Sequence, residues 1–204
     1  FQRSGTSASI TITGTCSGAT SVQARIVQHG TSTEVVTWTT IDAAPGSTFS
    51  GSITVPQGGK YNVQVRLGND TATVSNGSNG FSVGKLCLLI GQSQLVNWFD
   101  VGVSTATAGC YRQSGSVYGG SSGSWAAMVS TGNGANALAS SLIAADGVPV
   151  GLLGYAAGGT VISQWDQSTD AYPRDAIKAV QDSGGAVEFI LWEQGEGDGS
   201  AGTA

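Results

Sequence analysis

Three short polar segments follow the most apolar stretches of this sequence, and one of them carries a serine. GQSQ (91–94) comes after the apolar run 86–90, AAGGT (156–160) comes after 148–155, and EQGEGD (193–198) comes after 186–192. A serine on a tight turn exposes its hydroxyl, and glycine amides can approach a reacting group closely because no side chain intervenes. These residue types suit acyl transfer, in which a serine oxygen attacks a carbonyl and preorganised hydrogen-bond donors stabilise the oxyanion.

The three apolar runs predict strands of a parallel sheet. They are continuous rather than alternating, which is typical of strands that are buried on both faces. Between them, 134–147 and 173–185 show helical periodicity, and strand–helix–strand units predict a doubly wound α/β domain. In the first helix one stripe carries Ala135, Leu138, Ala139, Leu142 and Ile143.

The second predicted helix should bury Ile177 and Val180. Residues 100–133 are rich in Gly and Ser, which predicts a long surface excursion. In open parallel sheets ligands bind beyond the carboxyl ends of the strands. We therefore expect the three polar segments to meet at one edge of the sheet and to form a site.

The first part of the chain has a different pattern. Between 7 and 83, six or seven short segments alternate apolar and polar residues, as in YNVQVRL (61–67), with turn residues between them. This pattern predicts a small immunoglobulin-like β-sandwich over 1–83, followed by the α/β domain over 84–204.

The segments GQSQ, GGTVISQW and WEQGEGD resemble the three amino-terminal blocks of the sialate O-acetylesterase-like branch of the SGNH hydrolases, which carbohydrate esterase family six shares. The resemblance implies a flavodoxin-like parallel sheet and an esterase that uses no metal and no cofactor. It also implies that Ser93 is the nucleophile and that Gly159 and Gln194 complete the oxyanion hole. The further candidates for a supporting role in the site are Gly158, Glu196 and Asp198. The aromatic side chains that can stack on sugar rings are Trp98 and Trp165.

Two positions depart from the family pattern. Gln94 stands where the family usually has Asn, and no D-x-x-H motif is present to supply the general base. The single histidine, His29, lies in the predicted sandwich. We therefore expect the α/β domain to be incomplete here, with the D-x-x-H segment beyond residue 204 or in another chain.

Composition excludes some classes of function. Only 10% of residues are charged and the net charge is −5, which argues against nucleic acid as a partner. No apolar run reaches the ~18 residues of a membrane-spanning helix. Cys87 is predicted to be a buried, inert thiol, whereas Cys16 and Cys110 are either free or joined in a disulfide.

The acidic residues of EQGEGD allow two other readings, a glycosidase carboxylate pair and a calcium loop. Neighbouring positions rarely give the separation that a glycosidase needs, and the spacing of a calcium loop is missing.

Together with the acyl-transfer chemistry of the residues, the resemblance implies a serine esterase that removes O-acetyl groups from an oligo- or polysaccharide through an acetyl-enzyme. Composition and analogy favour a bacterial secreted protein or a phage tail protein. The alternatives are a non-catalytic carbohydrate-binding or phage adhesion module on the same fold, and a lipid or thioester hydrolase.

Overall fold

A computed structural model describes residues 1–100, 102, 108–113, 125–128, 133–166, 168 and 171–201. The chain divides into two compact units. The first consists of Phe1 and Arg3–Gly84, and the second of Gln2 and Lys85–Ala204.

The first unit is built from antiparallel strands. They are β1 (Ser7–Thr15), β2 (Val22–Gln28), β3 (Glu34–Asp42), β4 (Thr48–Pro56), β5 (Gly58–Leu67), β6 (Asp70–Asn76) and β7 (Phe81–Val83). One sheet pairs β1 with β4, and the other has the order β3-β2-β5-β6, with β7 also paired to β5. The predicted alternation of apolar and polar residues is seen in the burial of β1, β2 and β4, whereas β6 is exposed throughout.

The two sheets of the first unit share one hydrophobic core. Ile10 and Ile12 of β1 and Val22, Ala24 and Ile26 of β2 are buried, as their period-two spacing predicts. The core also includes residues of β4, β5 and β7: Phe49, Ile53, Val55, Tyr61 and Val83.

The second unit has a mixed α/β fold with a mainly parallel sheet, as predicted. Its elements are β8 (Lys85–Gly91), α1 (Ser93–Asp100), β9 (Cys110–Gln113), β10 (Trp125–Ala127), α2 (Asn133–Asp146), β11 (Val150–Ala156), a 3-10 helix (Ile162–Trp165), α3 (Ala171–Asp182), β12 (Phe189–Glu193) and α4 (Glu196–Ala201). The strand order is β10-β9-β11-β8-β12. β11 and β12 flank β8 in parallel, β9 is parallel to β11, and β10 is antiparallel to β9.

Helices cover both faces of this sheet. Cys87 and Leu89 of β8 belong to the core that contains residues of α1 and α2, whereas Leu86 and Leu88 belong to the core that contains residues of α3. Neighbouring residues of β8 are thus buried on opposite faces, which explains why the strand reads as a continuous apolar run.

The helix predictions hold for α2 and fail at one position of α3. The predicted stripe of α2 packs on the sheet, with Ala135 and Ala139 fully buried. Ile177 was predicted to face inward, but it is 37% exposed. Ala176 and Ala179 face the core instead, where their small side chains pack with the bulky Leu88 and Tyr155.

The prediction of a surface excursion over 100–133 is wrong for the two strands that the structure describes there. Residues 110–113 and 125–127 are β9 and β10, and Cys110 and Gln113 are buried. Strands of three and four residues are too short to show periodicity in the sequence. The rest of the predicted excursion lies mostly outside the described residues.

Two other observations concern sequence expectations. Cys16, Cys87 and Cys110 are all free, so the Cys16–Cys110 disulfide is not formed. Within the described ranges, no helix is both long enough and apolar enough to span a membrane.

Candidate active site

The carboxyl ends of β8, β11 and β12 lie side by side. In the strand pairing Gly91 is aligned with Ala156 on one side and with Glu193 on the other. The alignment continues past the strands, because the Gln92 N–H donates to the Glu193 carbonyl (2.9 Å) and the Ala157 N–H donates to the Gly91 carbonyl (3.0 Å). After β8 the chain forms β9, β10 and β11 on one side of this strand, and then β12 on the other side. Such a change of side opens a crevice at the carboxyl ends of the strands in α/β sheets.

Ser93 is the first residue of α1, directly after the close approach of two strands. Gly91 makes that approach possible, since a Cβ on this residue would collide with the Glu193 carbonyl. The carbonyl of Gln92 accepts the N–H groups of Leu95 (3.1 Å) and Val96 (3.3 Å), and these bonds form the first turn of α1. Ser93 therefore sits where a strand changes abruptly into a helix.

Gly158 is the neighbour of Ser93 from the segment after β11. A Cβ built on Gly158 would lie 3.8 Å from the Ser93 Cβ, which is an ordinary van der Waals distance, so the two residues are direct neighbours. Ser93 is half-buried, and its hydroxyl makes no hydrogen bond in the part of the chain that the structure describes. The predicted nucleophile and one predicted supporting glycine are thus brought together.

The segment after β11 turns sharply at Gly159. Its φ of 74° lies in the left-handed region that favours glycine, and both Gly158 and Gly159 are exposed. Thr160 then returns to the interior. Its hydroxyl donates to the Ala157 carbonyl (2.9 Å) and accepts the Trp165 Nε1–H (3.1 Å). This pair of bonds closes the turn that presents the two glycines.

Gln194 and Asp198 join the segments after β11 and β12. The Gln194 amide nitrogen donates to the Thr160 carbonyl (2.7 Å) and to Asp198 Oδ2 (3.3 Å). Asp198, only 5% exposed, accepts the Ile162 N–H at 2.9 and 3.0 Å from its two oxygens. Both amide hydrogens of Gln194 have protein acceptors here, so its predicted role as an oxyanion donor stays a prediction.

Gln92 joins the segment after β8 to α4. Its side chain is 2% exposed; the amide nitrogen donates to Glu196 Oε2 (2.6 Å) and the amide oxygen accepts the Gly197 N–H (3.1 Å). A Cβ on Gly197 would collide with the Thr160 carbonyl and lie 3.4 Å from the Gln92 amide oxygen. All three polar segments therefore meet at Gly197.

The sequence did not identify Gln92, Thr160 or Gly197 as site residues. Gln92 and Glu196 are 104 positions apart, and no local pattern signals such a pair. The available hint was that Gln92 lies inside the GQSQ segment, next to the predicted nucleophile.

The two candidate sugar-binding tryptophans lie in different surroundings. Trp98 is 37% exposed and packs where a Cβ on Gly134 of α2 would stand. Trp165 contacts the rings of Tyr172 (5.4 Å between centroids) and Trp192 (5.2 Å). Their contact with a sugar stays a prediction. Among the described residues, no three His, Cys, Asp or Glu side chains are placed to hold a metal ion.

Part of this chain matches a known protein family. Residues 125–204 match the family described as carbohydrate esterase, sialic acid-specific acetylesterase. The predicted family resemblance is confirmed. The match to this esterase family contains the second and third polar segments, whereas Ser93 lies outside it.

Two similar proteins extend the comparison. The structure of a carbohydrate acetylesterase from Xanthomonas citri superposes with a TM-score of 0.56 at 19% identity, over 97% of this chain and 49% of that chain. This likeness shows a shared fold. A probable carbohydrate esterase from Arabidopsis thaliana is 38% identical over 56 residues, which are 26% of this chain and 21% of the relative. The chain therefore spans about half the length of the first protein and matches about a fifth of the second.

Proposed function

We propose that this chain carries the nucleophile of a serine esterase that removes O-acetyl groups from an extracellular oligo- or polysaccharide. The observation that carries the proposal is the meeting of three segments from adjacent parallel strands, with Ser93 beside Gly158. The match to a carbohydrate esterase family over 125–204 supports the ester and the sugar as substrate classes.

The reaction proceeds through an acetyl-enzyme. The Ser93 oxygen attacks the acetyl carbonyl, the bond from the carbonyl carbon to the sugar oxygen breaks, and the sugar hydroxyl leaves with a proton. Water then attacks the acetyl group on Ser93, releasing acetate and restoring the serine hydroxyl. Each step passes through an oxyanion, and losing one preorganised donor to it typically costs about 3 kcal/mol of transition-state stabilisation.

The Gly159 N–H and the Gln194 amide are the proposed donors to the oxyanion, with Gly158 in support. Gln194 makes one short bond to Thr160 and a longer one, 3.3 Å, to Asp198. The longer bond is the one that can be exchanged for the oxyanion while the shorter bond keeps the side chain in place. Trp98 and Trp165 are the proposed aromatic contacts of the sugar.

The general base in this proposal is a histidine of a D-x-x-H segment outside this chain. The histidine of the sequence, His29, belongs to the first unit, where its Nδ1 is 2.6 Å from Asn62 Oδ1. β12 offers a place for a further strand, since in the described part of the chain it pairs with β8 alone. Ile190 and Trp192 of β12 are 61% and 45% exposed, whereas strands of parallel sheets are usually covered.

We also propose that the second unit belongs to the SGNH, flavodoxin-like class. The order β11-β8-β12 and the helices on both sheet faces support this assignment. The two core-sharing antiparallel sheets of the first unit support an immunoglobulin-like sandwich.

Ser93→Ala in the full-length protein tests the proposal. We expect release of acetate from acetylated oligosaccharides to fall to background, with an unchanged melting temperature because the half-buried hydroxyl has no hydrogen bond to lose among the described residues. Ser141→Ala on the exposed side of α2 is the matched control and should keep full activity. Undiminished acetate release by Ser93→Ala would reject Ser93 as the nucleophile.

A further inference from the structure

Gln92 is a polar side chain that the proposed chemistry does not use, although it precedes the nucleophile and is almost completely buried. Burying a carboxamide is unfavourable unless its donor and acceptor are both satisfied. Here one amide hydrogen and the amide oxygen are both bonded to α4, through the Glu196 carboxylate at 2.6 Å and the Gly197 N–H at 3.1 Å. The bond to Glu196 involves a carboxylate, so it is of the stronger, charge-assisted kind.

The same residue is also held by its backbone. Its N–H donates to the Glu193 carbonyl, and its own carbonyl accepts the N–H groups of Leu95 and Val96, the third and fourth residues of α1. The two side-chain hydrogen bonds of Gln92 to α4 restrain the peptide that carries Ser93 in addition to these backbone bonds. Since displacements of about 1 Å in a reacting group can cost about a hundredfold in rate, this restraint bears directly on the position of the Ser93 hydroxyl.

The partner side of the contact is equally close to the proposed chemistry. Glu196 lies two residues after Gln194, the proposed oxyanion donor, and two residues before Asp198, which holds Gln194. The link between Gln92 and α4 therefore connects the segment of the nucleophile to the segment of the oxyanion donor.

We infer that Gln92 and Glu196 form a positioning pair, which sets the Ser93 hydroxyl relative to the Gln194 amide, and that Glu196 acts as the acceptor of Gln92 rather than as a proton-transfer group. This inference rests on the proposed function. A contact that aligns attacking and stabilising groups matters in the transition state more than in substrate binding, so its loss lowers kcat and leaves KM nearly unchanged.

Exchange of the two side chains tests the pair in the full-length protein. Gln92→Glu places two carboxylates against each other, and Glu196→Gln leaves an amide oxygen that still accepts from Gln92. In the double variant Gln92→Glu/Glu196→Gln the new amide donates to the new carboxylate, and the Gly197 N–H keeps an acceptor. The bond is then restored with its direction reversed.

The expected result is a loss in kcat that the exchange repairs. With p-nitrophenyl acetate, Gln92→Glu should lower kcat at least about tenfold, equivalent to about 1.4 kcal/mol, and the double variant should recover to within about threefold of the parent. KM should stay within about twofold in all three variants. Gln92→Met should resemble Gln92→Glu, whereas Gln181→Met on the exposed side of α3 is the control that should match the parent.

Other outcomes overturn the inference. A double variant no more active than Gln92→Glu would reject the pair, and so would a loss confined to KM. If Glu196→Gln alone removed all activity, Glu196 would transfer a proton and the positioning role would be wrong. Ser93→Ala, assayed in parallel, separates the two proposals, because activity that survives that substitution rejects the esterase site itself rather than the role of Gln92.

Discussion

At the scale of single residues, Asp198 is the buried charge of the candidate site. It accepts the Ile162 N–H and one hydrogen of the Gln194 amide, so one carboxylate fixes both the turn after β11 and the proposed oxyanion donor. A buried carboxylate is tolerated when several donors face it. Its contacts to these two segments suit a positioning role, in keeping with the supporting role for which Asp198 is a candidate in the sequence.

Asp198→Ala should therefore destabilise the second unit. Hydrogen bonds to charged groups contribute about 1.5–3 kcal/mol each, and Asp198 accepts two donors, so we expect the free energy of unfolding to fall by at least about 3 kcal/mol. Asp198→Asn keeps one acceptor oxygen and should lose about half as much. Urea unfolding of the three proteins, followed by circular dichroism, measures the difference. Equal stability of the parent and Asp198→Ala would mean that the carboxylate does not hold the turn.

Motifs in the sequence predicted which residues come to this edge of the sheet, but not what each side chain bonds to. Ser93 was predicted on a polar turn after a buried strand, and it is the first residue of α1 directly after β8. Gly159, given by the family resemblance, lies in the turn after β11. The acceptor of the Gln194 amide, the Thr160 carbonyl, is 34 positions away and is set by how the segments pack. Bonds of this range follow from the tertiary fold and leave no local signal in the sequence.

At the scale of elements, α4 depends on its contacts with the other segments. Glu196–Ala201 contains two glycines within six residues, which intrinsically disfavour a helix. The helix begins where Gln92 accepts the Gly197 N–H and where the backbone of Gly197 approaches the Thr160 carbonyl. Tertiary contacts thus decide a structure that residue propensities alone do not predict.

Two glycines of α4 provide a matched test of this close approach. Gly197→Ala places a Cβ against the Thr160 carbonyl and should separate the segments, lowering both the melting temperature and the proposed esterase activity. Gly199→Ala meets nothing within 4 Å and should be neutral or slightly stabilising, because alanine favours a helix by about 1 kcal/mol over glycine. Differential scanning calorimetry and acetate release distinguish the two. A Gly197→Ala protein as stable and active as Gly199→Ala would show that the three segments do not meet there.

The sequence predicted the long apolar strands and the long amphipathic helices, and it missed the elements that are short. The three continuous apolar runs became β8, β11 and β12, and the longer amphipathic stretches became α2 and α3. α1 was read only as a turn, although Leu95 and Phe99, four residues apart and both buried, mark its inner face. The exposure of Ile177 has a comparable cause, since periodicity locates an apolar stripe but does not say which of its residues packs closest to the sheet.

At the scale of the whole molecule, the three cysteines report on the two units separately. Cys16 belongs to the first unit and is partly exposed, whereas Cys87 and Cys110 lie in one core of the second unit. Burial raises the pKa of Cys87 to about 12 and also raises the pKa of Cys110. Because the thiolate is the reactive form, both buried thiols should be inert in the folded protein at pH 8.

Thiol labelling across a urea series should therefore resolve the unfolding of each unit. Without urea we expect iodoacetamide to modify Cys16 alone, with Cys16→Ser as the unlabelled control. Cys87 and Cys110 should become labelled together, at the urea concentration where their shared core opens, since neither thiol is reached while that core is intact. Mass spectrometry of tryptic peptides assigns each modification. Labelling of Cys87 in the folded protein, or at a lower urea concentration than Cys110, would contradict a single cooperative core that joins β8, β9 and the helices packed on them.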